Sequence, residues 1–348
     1  MLLLVQLALP ISAVDEAGDP GGDSSIIDNI QASTNFSVEA TAALLIDLDS
    51  DTVLYEQNAD AKVYPASLTK IMTCMLVLEH GKLSDVITVS ETALQDLDVE
   101  GSTANLQAGE ELTVEELLYC MMLSSANEAC NIAAEYIAGS VDAFVQMMND
   151  KAAELGCTQT HFANTHGLHD DDHYTTARDL SLITKAALKS ETFKTITNAT
   201  AHTVPATNLS PERKLTTTNY LISKEDTPNY YYPNASGVKT GYTSKAGRCL
   251  ITTANDGNLH LLSILCGAIT TVLESGDVVL ENFVETARLL DYGFDNFAYA
   301  TLVSTLYPVA QINVTMSAGA EAVVLSPSKE ISALLPKDYS KDAIETKV

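Results

Sequence analysis

A run of mainly apolar residues after Pro65 constrains the fold more than any other segment of the chain. It reads ASLTKIMTCMLVLEHG, and its apolar side chains fall on nearly every side of a helix. A helix that is apolar all round has to be buried, and a glycine directly after such a run is typical of a helix end. The sequence therefore predicts a helix in the interior of the fold that ends at Gly81.

Strand patterns lie on both sides of this helix in the chain. ATAALLIDL and TVLYEQN surround turn residues at 49–51, and RCLITTAN and HLLSILCGAI surround turn residues at 255–257, so each pair predicts a β-hairpin. Helical patterns occupy 113–137, 141–154 and 176–189, and another lies at 278–291. We therefore expect an α/β (α+β) domain with one antiparallel sheet built from both of its termini and a helical half between them.

Four segments are expected along the chain. Residues 1–13 resemble a secretory signal, although no Lys or Arg precedes the apolar stretch, and 14–36 have the composition of a flexible leader. The main domain is predicted to span 37–291. Beyond it, 292–348 read as a small β-rich domain, because Ala310, Ile312, Val314 and Met316 alternate with polar residues.

Charge and cysteine spacing exclude several classes of function. Lys and Arg total 19 against 46 Asp and Glu, a formal net charge of -27, so repulsion disfavours nucleic acid and anionic membranes as partners. No internal stretch of about 18 apolar residues predicts a transmembrane helix. The six cysteines include no C-x-x-C pair and four lie in apolar runs, so we expect buried free thiols and no metal site.

Ser67 and Lys70 stand at the start of the buried helix, one turn apart on the same face. A lysine can take the proton of a serine hydroxyl when burial and a second cation depress its pKa. The N-terminus of such a helix also offers backbone N–H groups to a developing oxyanion. The pair is therefore a candidate nucleophile and base.

Two further motifs follow in the chain. Ser125-Ala126-Asn127 comes after the apolar run LLYCMML, so a hydroxyl and an amide would enter a cleft at a helix end. Lys239-Thr240-Gly241 opens the later strand region, where the lysine would be the second cation and the glycine would allow a close approach of another chain or a ligand.

Each motif alone also has an ordinary structural explanation. S-x-x-K recurs at 236–239 and 326–329, and S-x-N recurs at 33–35. Serine and asparagine are common at helix caps, and lysine is common on exposed edge strands. The combination of the three motifs with a preceding proline and a buried helix is what singles out Ser67.

In this order the motifs resemble the signature of penicillin-binding proteins and serine β-lactamases. The segments YPASLTKIMTCML, GEELTVEELLYCMMLSSANEA, HFANTHGLHDDDHYTTARDL and GVKTGYTSKAGRCL are more closely similar to low-molecular-mass D-alanyl-D-alanine carboxypeptidases of serine peptidase family S11. The likeness spans about residues 38–295, and YGFDNF resembles the start of that family's C-terminal β-domain. We expect this domain to be truncated, with membrane association arising only through a missing C-terminal segment.

The resemblance implies a bacterial, extracytoplasmic enzyme that removes the terminal D-alanine from peptidoglycan stem peptides, binds β-lactams and needs no cofactor. It implies that Ser67 is acylated, that Lys70 is the base and that Ser125 relays a proton. Substrate contacts are implied at six residues: Asn127, Lys239, Thr240, Gly241, Tyr242 and Thr243. The backbone N–H groups of Ser67 and Tyr242 would hold the oxyanion.

One departure from the family concerns the terminal carboxylate of the substrate. Many members carry an Arg shortly before the last helix that helps to bind it, whereas no Arg or Lys lies between Arg248 and Arg288 here. We therefore expect the hydroxyls of Thr240 and Thr243 to bind the carboxylate, with Arg248 as the alternative.

Other functions remain open from the residues alone. Four histidines and three aspartates between 161 and 173 could suggest a metal site, but the resemblance implies a structural loop in which His166 is a hydrogen-bonding residue. A DD-endopeptidase is a close alternative, and a class A-like β-lactamase would need a glutamate that 158–175 lacks. A non-catalytic wall-binding module is disfavoured by the three intact motifs.

Overall fold

The computed structural model describes residues 4–7, 35–95, 97, 101–225, 227, 229–313, 322–340 and 344–347. Most of the predicted signal segment, the leader up to residue 34, and Val314 and Met316 of the alternating strand lie outside the described residues. No helix in the described part of the chain is both long enough and apolar enough to cross a membrane.

The helices are α1 (Lys70–His80), α2 (Val114–Met122), α3 (Asn127–Ala138), α4 (Val141–Glu154), α5 (Ala177–Ala187), α6 (Glu191–Asn198) and α7 (Glu281–Asn296). Short 3₁₀ turns occupy Ala66–Thr69 and Thr92–Leu94. The strands are β1 (Leu4–Leu7), β2 (Ala42–Asp47), β3 (Thr52–Gln57), β4 (Val86–Thr88), β5 (Glu111–Thr113), β6 (Ala201–Val204), β7 (Arg213–Thr216), β8 (Ala235–Thr243), β9 (Gly247–Asn255), β10 (His260–Ala268), β11 (Thr270–Val272), β12 (Val278–Leu280), β13 (Phe297–Val303), β14 (Ala310–Asn313), β15 (Ala322–Leu325), β16 (Ile331–Pro336) and β17 (Ile344–Lys347).

Five strands form one sheet in the order β3-β2-β10-β9-β8. All four neighbouring pairs are antiparallel. The central contact joins β2 to β10, with Leu45 opposite Ser263, so strands from the two ends of the main domain meet side by side. The predicted hairpins and the single antiparallel sheet are both confirmed.

The sheet is buried on both faces. Along β2, Ala42, Leu44 and Ile46 contribute to the core shared with the helical half, whereas Ala43 and Leu45 contribute to a second core beneath α7. This alternation follows from the two-residue period of a strand. The first core also surrounds α1, which is buried from Lys70 to Val77, as the all-round apolar pattern predicted.

The helix predicted at 113–137 is in fact two helices. α2 ends at Met122 and α3 begins at Asn127, and between them Ser125 adopts a left-handed conformation with φ +60°. Neither Gly nor Pro marks this break, so the apolar pattern over 113–137 reads as one helix, although the position of the S-x-N motif indicated a helix end here. The break places Ser125 and Asn127 beside the start of α1.

The last helix also differs from its prediction. Residues 278–280 form strand β12, and α7 continues to Asn296, past the predicted domain boundary at 291. β13 then pairs with β16, and the Tyr299 hydroxyl donates to Asp47 Oδ2 at 2.6 Å across to the main sheet. A separate C-terminal domain stays a prediction.

A loop between α4 and α5 lies against the start of α1. Thr73 Oγ1 donates to the carbonyl oxygen of Thr165 at 2.6 Å, which ties the loop to the helix. Gly167 has φ +92°, and a Cβ atom at this position would lie 1.8 Å from the carbonyl oxygen of Ala66. The contact leaves no room for a side chain, so the loop supports the residue that precedes Ser67.

We predict that Gly167→Ala lowers the free energy of unfolding by about 2 to 5 kcal/mol, because left-handed strain adds to the steric overlap. Gly156→Ala is the matched control, since Gly156 has φ +84° but open space where a Cβ atom would lie. It should cost only about 1 to 2 kcal/mol. Urea denaturation followed by circular dichroism measures both variants, and equal losses would contradict the packing argument.

Candidate active site

A cavity of about 560 Å³ opens beside Ser67. The described residues that line it come from seven parts of the chain: Ser67; Gly101 and Ser102; Ser125 and Asn127; Gly167, Leu168 and His169; Thr218 and Tyr220; Thr240, Gly241, Tyr242, Thr243, Ser244 and Arg248; and Leu280, Asn282 and Phe283. A cavity of equal volume lies between β13 and β14, but no Lys, Arg or His is among its described lining residues. The candidate catalytic residues therefore lie at the cavity beside Ser67.

A 3₁₀ turn presents Ser67 to Lys70. Residues three apart are eclipsed in a 3₁₀ turn, and the Lys70 amine lies 3.0 Å from Ser67 Oγ. Ala66 enters the turn in a left-handed conformation with φ +48°. The predicted proximity of Ser67 and Lys70 is therefore present, although the first turn is 3₁₀ rather than α-helical.

Lys70 is fully buried and has no carboxylate among its described hydrogen-bond partners. Its amine donates to Asn127 Oδ1 at 2.8 Å and to the carbonyl oxygen of His166 at 2.7 Å. Burial lowers the pKa of Lys70 to about 8. A neutral amine has two hydrogens for these two acceptors, so its lone pair is left for the Ser67 hydroxyl.

Lys239, on β8, is the second buried lysine. Its amine donates to the carbonyl oxygen of Thr240 at 3.1 Å. Burial, and secondly the nearby charge of Lys70, lower the pKa of Lys239 well below its usual range. A positive charge on one amine therefore disfavours a positive charge on the other, which helps one of the two lysines to remain neutral.

The two residues of the S-x-N motif are placed differently. Ser125 is 5% exposed and lines the cavity, and its hydroxyl has no hydrogen-bond partner among the described residues. Asn127 uses its carbonyl oxygen to accept from Lys70. The structure therefore links Asn127, rather than Ser125, directly to the lysine.

Strand β8 forms the edge of the sheet and passes close to Ser67. A Cβ atom at Gly241 would lie 3.0 Å from the backbone nitrogen of Ser67, so a side chain there would push the two backbones apart by a few tenths of an ångström. Thr240 Oγ1 lies 2.6 Å from Thr218 Oγ1, and Thr243 Oγ1 accepts from the backbone N–H of Ala246 at 3.0 Å. Tyr242 is 58% exposed at the mouth of the cavity.

Four residues of the cavity lining were not predicted from the sequence. Thr218, Tyr220, Asn282 and Phe283 come from two segments about sixty residues apart, and no local motif distinguishes them. Tyr220 and Phe283 stack with ring centroids 5.0 Å apart. Asn282 is buried, and its Oδ1 has no hydrogen-bond partner among the described residues.

The histidines are held in separate contacts. His173 Nδ1 accepts from the backbone N–H groups of Ala163 and Asn164 at 3.0 and 3.3 Å, so its proton is on Nε2, which lies 2.7 Å from Thr69 Oγ1. His166 Nδ1 accepts from the backbone N–H of Leu168 at 3.2 Å. Burial lowers the pKa of His173 to about 4 and that of His166 to about 3.

These contacts support the turn that carries Ser67. The Thr69 hydroxyl donates to the carbonyl oxygen of Ala66 at 2.8 Å, so His173 stabilises the strained residue through Thr69.

Within the described residues, no group of three or more His, Cys, Asp and Glu side chains could hold a metal ion. The six cysteines are all buried and unpaired by disulfides.

Comparison with known proteins identifies the fold and the family. The sequence profile of the D-alanyl-D-alanine carboxypeptidase family, peptidase S11, matches residues 29–270. The chain is 34% identical over 315 residues to the D-alanyl-D-alanine carboxypeptidase DacF of Bacillus subtilis, covering 89% of this chain and 76% of the relative. It is 31% identical over 315 residues to DacA of Escherichia coli, covering 88% and 73%.

Solved structures agree with these sequence matches. Penicillin-binding protein 5 from Haemophilus influenzae superposes with a TM-score of 0.67 at 28% identity, covering 88% of this chain and 85% of that protein. PBP3 from Streptococcus pneumoniae, described as a peptidoglycan synthesis regulatory factor, superposes with a TM-score of 0.72 at 26% identity over 87% of each chain. The chain therefore belongs to the peptidase S11 family of D-alanyl-D-alanine carboxypeptidases.

Proposed function

We propose that this protein is a serine D-alanyl-D-alanine carboxypeptidase that removes the terminal D-alanine from peptidoglycan stem peptides through an acyl-enzyme on Ser67. The observation that carries the proposal is the buried Lys70 amine 3.0 Å from Ser67 Oγ, with a pKa lowered to about 8. A base with a pKa near the operating pH is efficient in proton transfer. Membership of the S11 family supports the substrate class.

In the first step, Ser67 Oγ attacks the carbonyl carbon of the penultimate D-alanine as its proton passes to the neutral Lys70 amine. The carbonyl oxygen becomes an oxyanion, which the backbone N–H groups of Ser67 and Tyr242 would bind. The close approach of Gly241 to the Ser67 nitrogen supports this arrangement because it brings the two backbones together.

In the second step, the bond between the two D-alanines breaks and the leaving nitrogen takes a proton. Ser125 lines the cavity and has a free hydroxyl, so we assign it the relay that delivers this proton from Lys70. Water then attacks the ester carbonyl, which releases the shortened stem peptide and regenerates the Ser67 hydroxyl.

Substrate binding is proposed along the edge strand β8 and at Asn127. An exposed strand edge can pair with an extended peptide, and Thr240, Tyr242 and Thr243 line the cavity on this edge. With its oxygen held by Lys70, Asn127 has its amide nitrogen available for the stem peptide. Lys239 would be stabilised in its charged form when an anionic ligand binds.

β-Lactams would acylate the same serine because they present a strained amide to it. No Asp or Glu is among the described residues that line the cavity, so no carboxylate is placed there to activate water against a trapped β-lactam.

Peptidoglycan lies outside the cytoplasmic membrane, and we therefore propose that the enzyme acts there after export by residues 1–13.

We predict that fluorescent penicillin labels Ser67 and that Ser67→Ala abolishes the label. Ser326→Ala is the matched control because Ser326 and Lys329 have the same S-x-x-K spacing without lining the Ser67 cavity. Its labelling should equal that of the wild type. Peptide mapping by mass spectrometry identifies the modified serine, and an adduct on any other residue would refute the assignment.

We also predict that acylation depends on the protonation state of Lys70. Below its pKa of about 8 the rate constant should rise about tenfold per pH unit, because only the neutral amine accepts the serine proton, and it should level above this pH. His166 and His173 have pKa values of about 3 and about 4, so they cannot produce this profile.

Two lysine variants test that assignment. Lys70→Ala should lower the rate constant of acylation roughly 100-fold or more and remove the pH dependence. Lys82→Ala, which changes an exposed lysine after the other end of α1, should leave both unchanged. Stopped-flow labelling between about pH 6 and pH 9 gives the rates, and a flat wild-type profile would mean that Lys70 is not the base.

A further inference from the structure

Arg248 differs from the other arginines of this acidic chain. The chain contains four arginines, and three of them form ion pairs: Arg178 with Glu56 and Asp60, Arg213 with Glu110, and Arg288 with Glu285. Among the described residues, Arg248 has no carboxylate partner, although the whole chain has 46 Asp and Glu. An unpaired guanidinium in such a chain is available for an anion that the protein itself does not supply.

The position of Arg248 directs it to the catalytic cavity. It lies opposite Tyr242 in the register between β8 and β9, and its side chain lines the cavity that contains Ser67. Lys70 and Lys239 are enclosed and are not among the lining residues. His169 does line the cavity, and its Nε2 atom lies 3.3 Å from Asp171 Oδ1. Within the described lining, Arg248 is thus the side chain with a permanent positive charge.

Two contacts hold the guanidinium in place. Its carbon lies 4.9 Å from the centroid of the Tyr242 ring, and its Nε donates to Thr270 Oγ1 on β11 at 2.6 Å. Nε is therefore occupied, while the two terminal nitrogens have no partner among the described residues. A planar fork with its orientation set in advance suits a carboxylate, which it can bind through two hydrogen bonds.

The threonine hydroxyls are less suited to this role. Thr240 and Thr218 bond to each other, so one of their two hydroxyl protons is already used. Thr243 can donate one neutral hydrogen bond, because its oxygen accepts from Ala246. Neither hydroxyl offers the charge or the paired donors of a guanidinium.

We propose that Arg248 binds the C-terminal carboxylate of the substrate and that Thr270 is its positioning residue. The inference rests on the proposed carboxypeptidase function and names the residue that favours a free C-terminus over an internal peptide bond. A substrate whose terminal carboxylate is replaced by an amide has no anion for Arg248, so the preference for the acid measures this contact.

The test compares kcat/KM for an N-acylated peptide ending in D-Ala-D-Ala with kcat/KM for its C-terminal amide. Arg248→Gln should lower kcat/KM about 10- to 150-fold on the acid and by less than about 3-fold on the amide, as expected for loss of a charge-assisted contact. Activity on the amide shows that the variant is folded. Lys245→Gln removes the same charge from the exposed turn of the same hairpin, outside the cavity lining, and should not change the ratio.

Further variants separate charge, geometry and hydroxyl contacts. Arg248→Lys should recover part of the preference for the acid because it retains the charge without the fork. Thr270→Val should lower kcat/KM on the acid about 3- to 10-fold and leave the amide unchanged, since it removes one hydrogen bond that orients Arg248. Thr240→Val and Thr243→Val should affect acid and amide equally.

The outcomes distinguish this inference from the proposed function. If the wild type neither cleaves the D-Ala-D-Ala peptide nor is labelled on Ser67, the proposed function is wrong. If the wild type cleaves it but Arg248→Gln loses equal activity on acid and amide, or loses none, the assignment of Arg248 is wrong. Selective loss on the acid in Thr243→Val with none in Arg248→Gln would transfer the role to the hydroxyl.

Discussion

The site depends on a lysine amine buried without a carboxylate partner among the described residues. Desolvation destabilises the ammonium form of Lys70, and the two oxygens that accept from it, Asn127 Oδ1 and the His166 carbonyl, are uncharged. Pairing with Asp or Glu would raise the pKa and hold the proton on the amine. Uncharged acceptors orient the amine without holding its proton, which is what the proposed role of Lys70 as the base requires.

Holding this lysine requires three separate parts of the chain to meet at the start of α1. The break between α2 and α3 brings Asn127 to Lys70, and the loop at 163–167 brings the His166 carbonyl. The edge strand β8 approaches the Ser67 nitrogen at Gly241. Each approach uses an unusual backbone conformation or a missing side chain, so the geometry has a cost in stability.

That cost is offset by contacts behind the site. Ala66 and Ser125 both have positive φ, which costs about 1 to 3 kcal/mol for a residue other than glycine. Such a conformation persists only where its surroundings determine it. For Ala66, the chain of hydrogen bonds from His173 through Thr69, together with the tight packing of Gly167, provides this support. His173 thus stabilises the turn that carries Ser67.

The sequence alone determined the elements whose cause is local. An all-round apolar run has to be buried, alternating runs around turn residues form hairpins, and the spacing of Ser67 and Lys70 places them on one face. The three motifs in order also carried the resemblance to the family, which the comparisons confirm. By contrast, the split at Ser125 has no Gly or Pro signal, and the 3₁₀ turn at Ala66 depends on contacts from residues about a hundred positions away. Only the tertiary structure could decide which side chains share the cavity, because Tyr220, Arg248 and Asn282 reach it from segments that the sheet and α7 bring together. The sequence likewise could not predict which arginines form ion pairs, since this depends on which carboxylates the fold brings next to each arginine.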